Sequence, residues 1–136
     1  MANKTYVLDT NMVSGLRPNR NPHLWAQVNA HQGDRLCICE PVIFEVERGL
    51  HQRGASVQLK TFREQLLPMF AIPAPTLIDW RVAAQLWGNA RSRGIQFSDV
   101  DVLLAAITLR LGGVLVTDDS DFAHLPLVPK ENWLHP

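Results

Sequence analysis

The chain has 136 residues, of which 46% are hydrophobic and 19% charged, and its formal net charge at pH 7 is zero. This length suits one domain of common size, and the composition excludes the disordered, collagen-like and coiled-coil classes. No apolar run approaches the ~20 residues that cross a bilayer, and the N-terminus lacks the pattern of a secretory signal. We therefore expect a single domain over residues 1–136, located in the cytoplasm and not in a membrane.

The first half of the chain predicts short strands that alternate with helices. Thr5–Leu8 is an apolar run typical of a buried strand, and helix-start residues follow it directly. A helix is expected over 23–32 and a second strand over 35–39. The next helix, over 41–53, has an apolar stripe that Glu45 borders.

The second half continues this alternation. In chain order, the patterns predict a helix over 56–67, an extended segment over 70–75, helices over 77–92 and 98–111, a strand over 114–117 and an extended segment over 125–128. In the helix over 77–92, Trp80 and Trp87 recur at helical spacing with Leu77 and Ala84. This spacing predicts that both tryptophans face the core.

Strands separated by helices, without hairpin signals, predict an α/β fold in which helices cover both faces of a mostly parallel sheet, as a three-layer sandwich. Such sheets bind their ligands at the carboxyl ends of the strands. Asp9 and Asp118–Asp119 directly follow predicted strands, and Asp99 and Asp101 open a helix. We expect these acids to meet at one edge of the sheet.

The two cysteines, Cys37 and Cys39, alternate along a predicted strand and therefore point to the same face, where they are poorly placed to bond each other. We expect two buried free thiols. None of the five histidines stands in a metal-ligand spacing, so the sequence does not indicate a zinc site.

Each acid also has a purely structural explanation. Asp9 can cap the helix that follows it, and Asp101 stands three residues after Ser98, as in a capping box. Glu45 is harder to explain in this way, because an acid beside an apolar stripe loses hydration unless donors or cations meet it. The three acids within residues 118–121 repel one another unless a positive charge relieves them.

One divalent metal site accounts for all four acidic segments together. Mg²⁺ and Mn²⁺ prefer oxygen ligands and keep several waters, so a few carboxylates suffice. Such a site can activate water and stabilise charge on phosphate oxygens, which is the chemistry of phosphodiester hydrolysis. No nucleotide-binding glycine loop, serine-hydrolase motif or Cys–His pair in the sequence competes with this interpretation.

The charge distribution gives the acids a basic setting. Seven of the thirteen acids fall in the four acidic segments, which leaves six acids against thirteen Lys and Arg in the rest of the chain. Ten of these cations are arginines, whose side chains can bind phosphate through two hydrogen bonds. Two interpretations stay open, a basic rim around an acidic centre and ordinary solvated arginines.

The acidic segments, taken in order, resemble those of the PIN-domain ribonucleases, and specifically the VapC-type toxins of bacterial toxin–antitoxin pairs. They are YVLDTNMVS at 6–14, VIFEVERGL at 42–50, SDVDVLLAAITLRLG at 98–112 and LVTDDSDF at 115–122. The resemblance spans essentially the whole chain and includes Trp133 near its end. It implies a PIN-like three-layer fold and a Mg²⁺-dependent endoribonuclease, with Mn²⁺ as a substitute ion.

The resemblance also implies roles for individual residues. The metal-binding and catalytic acids would be Asp9, Glu45, Asp101 and Asp119. Asn11 and Thr117 would orient these acids, and Asp99 would support them. Because Asp118 stands where relatives are often basic or neutral, the choice among Asp118, Asp119 and Asp121 as the metal-facing acid stays open.

Partners follow from the same resemblance. A VapB-like antitoxin would insert a segment over the site, and a homodimer would combine two sites into one groove for RNA. The sequence does not reveal whether the substrate is tRNA, rRNA or mRNA. Arginines suited to contact with RNA or antitoxin are Arg17, Arg20, Arg48 and Arg53.

Two other functions compete with this one. A phosphatase of the haloacid-dehalogenase type would need a second Asp two residues after the first, where this chain has Asn11. A catalytically inactive PIN domain that binds RNA or protein would usually lack one of the acids, whereas all are present here.

Overall fold

Short strands and helices alternate along residues 3–135, which are the residues that the computed structural model describes. The helices are α1 (Thr10–Gly15), α2 (Pro22–Ala30), α3 (Glu40–Gln52), α4 (Ser56–Thr61), α5 (Leu77–Ser92) and α6 (Asp99–Arg110). The strands are β1 (Thr5–Leu8), β2 (Arg35–Cys37), β3 (Val114–Val116) and β4 (Lys130–Glu131). The predicted alternation of strands and helices is confirmed.

The four strands form one parallel sheet in the order β2-β1-β3-β4. β1 lies at its centre, with Val7 opposite Cys37 of β2 and Leu115 of β3. Ala71 adds a parallel bridge to Cys37 on the outer side of β2. Because all strands run the same way, their carboxyl ends share one edge, and the expected α/β architecture with a parallel sheet between helices is confirmed.

The last strand does not lie where the apolar pattern placed it. Residues 125–128 form a turn, in which the Val128 N–H donates to the Leu125 carbonyl at 3.1 Å, and Lys130–Glu131 pairs with β3 instead. Pro126 lies within this turn and Pro129 follows it, and proline has no N–H to donate to a sheet ladder. Pairing with β3 therefore begins at the carbonyl of Pro129, which accepts a hydrogen bond from the Leu115 N–H at 2.8 Å.

The core consists of the sheet and the helix faces that pack on it. The side chains of β1 and β3 form near-continuous apolar runs, as expected for parallel strands covered on both faces. α6 is almost entirely buried from Val102 to Thr108 and packs between the sheet and α5. Cys37 and Cys39 are buried free thiols, as the alternation predicted, and burial raises the pKa of Cys39 to about 12.

The prediction that Trp80 and Trp87 face the core is wrong. Their exposed fractions are 54% and 41%, and the residues of α5 that are buried are Asp79, Ala83 and Ala90. Asp79 accepts two hydrogen bonds from Nε of Arg110 on α6, at 2.9 and 3.0 Å. This ion pair and the two small alanines turn a different face of α5 inward.

The predicted apolar stripe of α5 is therefore real but faces outward. We call it the α5 outer face, and it consists of Leu77, Trp80, Ala84 and Trp87.

The predicted helix over 56–67 is wound in three ways. α4 ends at Thr61, a wider turn of π type covers Phe62–Leu66, and a 3₁₀ turn covers Leu67–Met69. Pro68 lies in this last turn, where the missing N–H of proline ends the helical pairing.

Within residues 3–135, no helix combines the length and the apolarity needed to cross a membrane.

Candidate active site

Asp9 and Thr117 lie side by side at the carboxyl edge of the sheet. Each directly follows a strand, and the two strands, β1 and β3, are neighbours in which Leu8 is opposite Val116. The Asp9 N–H donates to the Val116 carbonyl at 2.9 Å, which continues the sheet pairing by one step. The Thr117 hydroxyl then donates to Oδ2 of Asp9 at 2.7 Å.

Asp9 is held as a buried carboxylate. Only 6% of the residue is exposed, and Oδ1 accepts a hydrogen bond from the Thr10 N–H at 2.7 Å, so Asp9 also caps α1. Burial raises the pKa of Asp9 to about 6, against the lowering effect of the hydrogen bonds from Thr117 and Thr10. The carboxylates of Asp101 and Asp119 raise this pKa further, so three acids share one electrostatic environment.

Glu45 reaches the same place from α3. Its Oε1 accepts a hydrogen bond from the Thr10 hydroxyl at 2.6 Å, and Nη2 of Arg48 lies 3.4 Å from its Oε2. The contact through Thr10 joins α3 to the start of α1, next to Asp9.

Thr10, which the sequence did not single out, makes this contact, whereas the resemblance implied an orienting role for Asn11. Asn11 is exposed, and among the described residues its side chain makes no hydrogen bond to these acids. The only sequence signal for Thr10 was a hydroxyl residue directly after the strand-ending acid. The phase of α1 relative to α3 decides which of the two residues faces Glu45.

Asp101 combines a structural and an electrostatic role. It forms the capping box at the start of α6, in which Oδ2 accepts from the Ser98 N–H at 3.3 Å and the Asp101 N–H donates to the Ser98 hydroxyl at 3.1 Å. Burial raises the pKa of Asp101, and the charges of Asp119 and Glu45 raise it further against the effect of Ser98. Asp99, the first residue of α6, is exposed.

Of the three neighbouring acids after β3, Asp119 is the one that contacts Thr117 and acts on the pKa values of the other acids at this edge. The Asp119 N–H donates to the Thr117 hydroxyl at 3.0 Å, and its charge raises the pKa values of Asp9 and Asp101. Asp118 turns towards the end of the chain, where it accepts from Nδ2 of Asn132 at 2.7 Å, and Asp121 is exposed. The geometry therefore favours Asp119 as the acid that completes the group.

We call Asp9, Glu45, Asp101 and Asp119 the acidic site. Among residues 3–135, no three acidic, histidine or cysteine side chains lie close enough to form a ready-made metal-binding group. The donors of the acidic site are nevertheless all oxygens, which suits a hard divalent ion such as Mg²⁺ or Mn²⁺. Because Mg²⁺ usually keeps several waters and binds through one or two carboxylates, the residues fit a hydrated ion and not a closed protein cage.

Three of the four selected arginines line a cleft beside the acidic site. This cleft has a volume of about 530 Å³ and lies between the α1–α2 segment, α3 and α4. Arg17, Arg20 and Arg53 line it together with Glu45, over a floor that includes Phe62. We call it the basic cleft. Arg48 lies outside it, with its guanidinium over the Phe44 ring.

Comparison with known proteins identifies relatives of this fold. The family model of the PIN domain matches residues 6–127. No curated protein sequence matches the chain.

Several solved structures superpose over nearly the whole chain. A chain of VapBC2 from Rickettsia felis, bound to a DNA fragment from its promoter, has a TM-score of 0.86 at 18% identity, covering 95% of this chain and 98% of that chain. FitAcB from Neisseria gonorrhoeae has a TM-score of 0.80 at 22% identity, covering 96% and 99%. VapC20 from Mycobacterium tuberculosis, described as a sarcin-ricin loop cleaving toxin, has a TM-score of 0.67 at 18% identity, covering 90% and 96%. At these identities the likeness establishes the fold.

Proposed function

The chain belongs to the PIN domain family, and from this we propose that it is a divalent-metal-dependent endoribonuclease of the VapC toxin type. The observation that supports this proposal most directly is the acidic site at the carboxyl edge of the sheet, where burial and the charges of Asp101 and Asp119 raise the pKa of Asp9. A functional site explains this arrangement, because like charges in a shared, partly buried space destabilise a fold unless a cation offsets them.

Asp9, Glu45, Asp101 and Asp119 would hold Mg²⁺, for which Mn²⁺ would substitute. A divalent ion bound there would lower the pKa of a water molecule and offset the charge on phosphate oxygens. The protein itself supplies orientation. Thr117 and the Thr10 N–H fix the two oxygens of Asp9, and the Thr10 hydroxyl fixes Glu45.

The basic cleft supports RNA as the substrate. Arg17, Arg20 and Arg53 surround a cavity that opens beside Glu45, so a phosphate backbone lying in the cleft would pass the acidic site. Attack by water does not need the 2′-hydroxyl as a nucleophile, so recognition would have to exclude DNA. We expect products with 5′-phosphate and 3′-hydroxyl ends.

We also propose a VapB-like antitoxin as an inhibitory partner. Several of the similar structures are toxin–antitoxin complexes. In this chain the basic cleft combines arginines with an apolar floor that includes Leu50 and Phe62. A peptide with acidic and apolar side chains would be complementary to that lining and would cover the acidic site.

We also propose that the chain forms a homodimer through the α5 outer face. The α5 outer face leaves Leu77, Trp80 and Trp87 exposed by 63%, 54% and 41%, respectively. Exposed apolar patches of this kind mark protein–protein contacts.

The test of the enzymatic function uses the purified chain freed of any partner. We expect it to cleave RNA only with Mg²⁺ or Mn²⁺, and we expect Asp9→Asn to abolish cleavage. Asp34→Asn is the matched control, because Asp34 precedes β2 at the opposite edge of the sheet. Products should be ligatable through their 5′-phosphates.

Undiminished cleavage in excess EDTA would overturn the metal mechanism. RNA binding without cleavage under any metal would instead support the inactive, RNA-binding alternative, in keeping with the absence of a ready-made metal group among residues 3–135.

A further inference from the structure

Phe44 is an exposed aromatic ring at the border of the acidic site. It directly precedes Glu45 on α3, and 59% of it is exposed. The other phenylalanines are between 0% and 8% exposed, and they are Phe62, Phe70, Phe97 and Phe122. Leaving one ring in water forgoes the stabilisation that burial gives to a side chain of this size.

Arg48 connects this ring to the acidic site. Its guanidinium carbon lies 5.1 Å from the centroid of the Phe44 ring, and its Nη2 lies 3.4 Å from Oε2 of Glu45. One helical turn of α3 therefore carries a ring, a cation and a site carboxylate in continuous contact. The Arg48 side chain is itself 60% exposed, so both groups are accessible to a ligand.

A second aromatic–arginine pair differs from the Phe44–Arg48 pair in its position relative to the acidic site. On α5, the guanidinium of Arg91 lies 5.3 Å from the Trp87 ring, with the same spacing of four residues. Neither residue of that pair contacts an acid of the acidic site, and Trp87 belongs to the α5 outer face. Only the pair on α3 is placed where a substrate of the acidic site would lie.

The surroundings of Phe44 favour a nucleobase over an apolar protein surface. Of its neighbours one and two turns away on α3, Pro41 is apolar, and the others are charged or polar, namely Glu40, Glu47, Arg48 and His51. A protein interface is built on a contiguous apolar patch, whereas a single ring with polar neighbours suits a flat ligand that has polar edges. Single-stranded RNA is recognised by stacking its bases on aromatic rings and on arginine planes.

We propose that Phe44 is a substrate-positioning residue, which stacks one nucleobase of single-stranded RNA beside the cleavage site while Arg48 contacts the neighbouring phosphate. This inference rests on the proposed ribonuclease function. In this arrangement, α3 determines where the RNA backbone lies over Glu45.

The experiment measures RNA binding in the Asp9→Asn background, where cleavage is expected to be blocked. Short single-stranded RNAs carry an abasic nucleotide at one position after another, and affinity is measured by fluorescence anisotropy. Phe44→Ala and Phe44→Leu should each weaken binding about 10-fold, which corresponds to ~1.4 kcal/mol and lies within the contribution of one base–aromatic stack. Phe44→Trp should retain wild-type affinity.

The decisive readout is non-additivity. At one RNA position, removing the base should lower the RNA affinity of the parent protein about 10-fold. The same removal should not lower the affinity of Phe44→Ala any further. In the cleavage-competent protein, Phe44→Ala should raise KM and leave kcat within about two-fold. Leu127→Ala is the control for loss of an exposed apolar side chain, since Leu127 is 84% exposed and remote in sequence from α3.

Full RNA affinity in Phe44→Ala, or additive effects at every RNA position, would overturn the stacking role. Weaker antitoxin binding with unchanged RNA binding would show that Phe44 contacts a protein instead, and would overturn it as well. In each of these outcomes the wild-type protein still cleaves RNA, so the proposed ribonuclease function is unaffected. A wild-type protein that neither binds nor cleaves RNA would overturn the proposed function and this inference with it.

Discussion

The Thr117 hydroxyl ties together two acids from different parts of the sheet edge. It donates to Oδ2 of Asp9 at 2.7 Å and accepts from the Asp119 N–H at 3.0 Å. Thr117 is 5% exposed, so water does not readily replace it. Its position after β3 thus sets both the rotamer of Asp9 and the path of the backbone that carries Asp119.

We expect Thr117→Val to lower kcat by roughly 10- to 100-fold. The substitution keeps the shape of the side chain but removes a hydrogen bond to a carboxylate, which contributes about 1.5–3 kcal/mol. Thr117→Ser should restore most of the activity, because it restores the hydroxyl. RNA cleavage at saturating substrate is the measurement, with thermal unfolding as the check on folding.

Rescue by serine separates positioning from packing. If Thr117→Ser were as inactive as Thr117→Val, the hydroxyl alone would not suffice to position Asp9, and packing of the methyl group would be needed as well. Wild-type activity in Thr117→Val would remove Thr117 from the orienting role.

At the level of elements, the strands and the acids at their ends could be predicted because local sequence determines them. Parallel strands covered on both faces are continuous apolar runs, and the residue after each run necessarily lies at the sheet edge. Asp9 and the 118–121 segment were placed correctly at that edge for this reason.

The orientation of α5 and the partner of Glu45 could not be predicted. The apolar spacing of Leu77, Trp80 and Trp87 does not say whether the stripe faces in or out. Asp79 selects the buried face through Arg110, which lies 31 residues away. Thr10 and Asn11 differ by about 100° around a helix, and only packing of α1 against α3 decides which one meets Glu45.

The ion pair between α5 and α6 leads to a prediction about stability. Asp79 is 1% exposed, and its carboxylate accepts hydrogen bonds from Arg110 and from the Thr76 N–H. Burial alone would raise the pKa of Asp79, but these hydrogen bonds outweigh it and the pKa is lowered. Removing Arg110 would leave a buried charge without its partner.

We expect Arg110→Met to lower the free energy of unfolding by about 3 kcal/mol at pH 7, measured by urea unfolding. Because the folded-state pKa of Asp79 is lowered, its stabilising contribution is present above the unfolded pKa, near 4, and is lost as pH falls through the folded value. The difference between wild type and variant should therefore shrink below about pH 4.

Arg91→Met is the matched control on α5, since Arg91 contacts the exposed Trp87 ring and its loss should cost less than about 1 kcal/mol. Equal effects of the two arginine substitutions would contradict a specific role for the Asp79–Arg110 pair. The double variant Asp79→Leu/Arg110→Met should recover part of the lost stability, because it leaves no unpaired charge.

On the scale of the whole molecule, the acidic site and the α5 outer face are each unfavourable in water, for different physical reasons. The acidic site concentrates charge that a cation can offset, whereas the α5 outer face leaves two tryptophans largely in water. Burying such a face against a second copy removes it from water and provides an isologous interface, in which each subunit contributes the same residues.

We therefore expect the wild-type chain to be a dimer by analytical ultracentrifugation and Trp80→Glu/Trp87→Glu to be a monomer with unchanged circular dichroism. The fold should survive, because both positions are exposed and a glutamate at 87 can pair with Arg91 four residues later. Leu127→Glu, at a residue 84% exposed outside α5, should stay dimeric. A dimer that persists in the double variant would place the contact on another surface, and a monomeric wild type would contradict self-association through the α5 outer face.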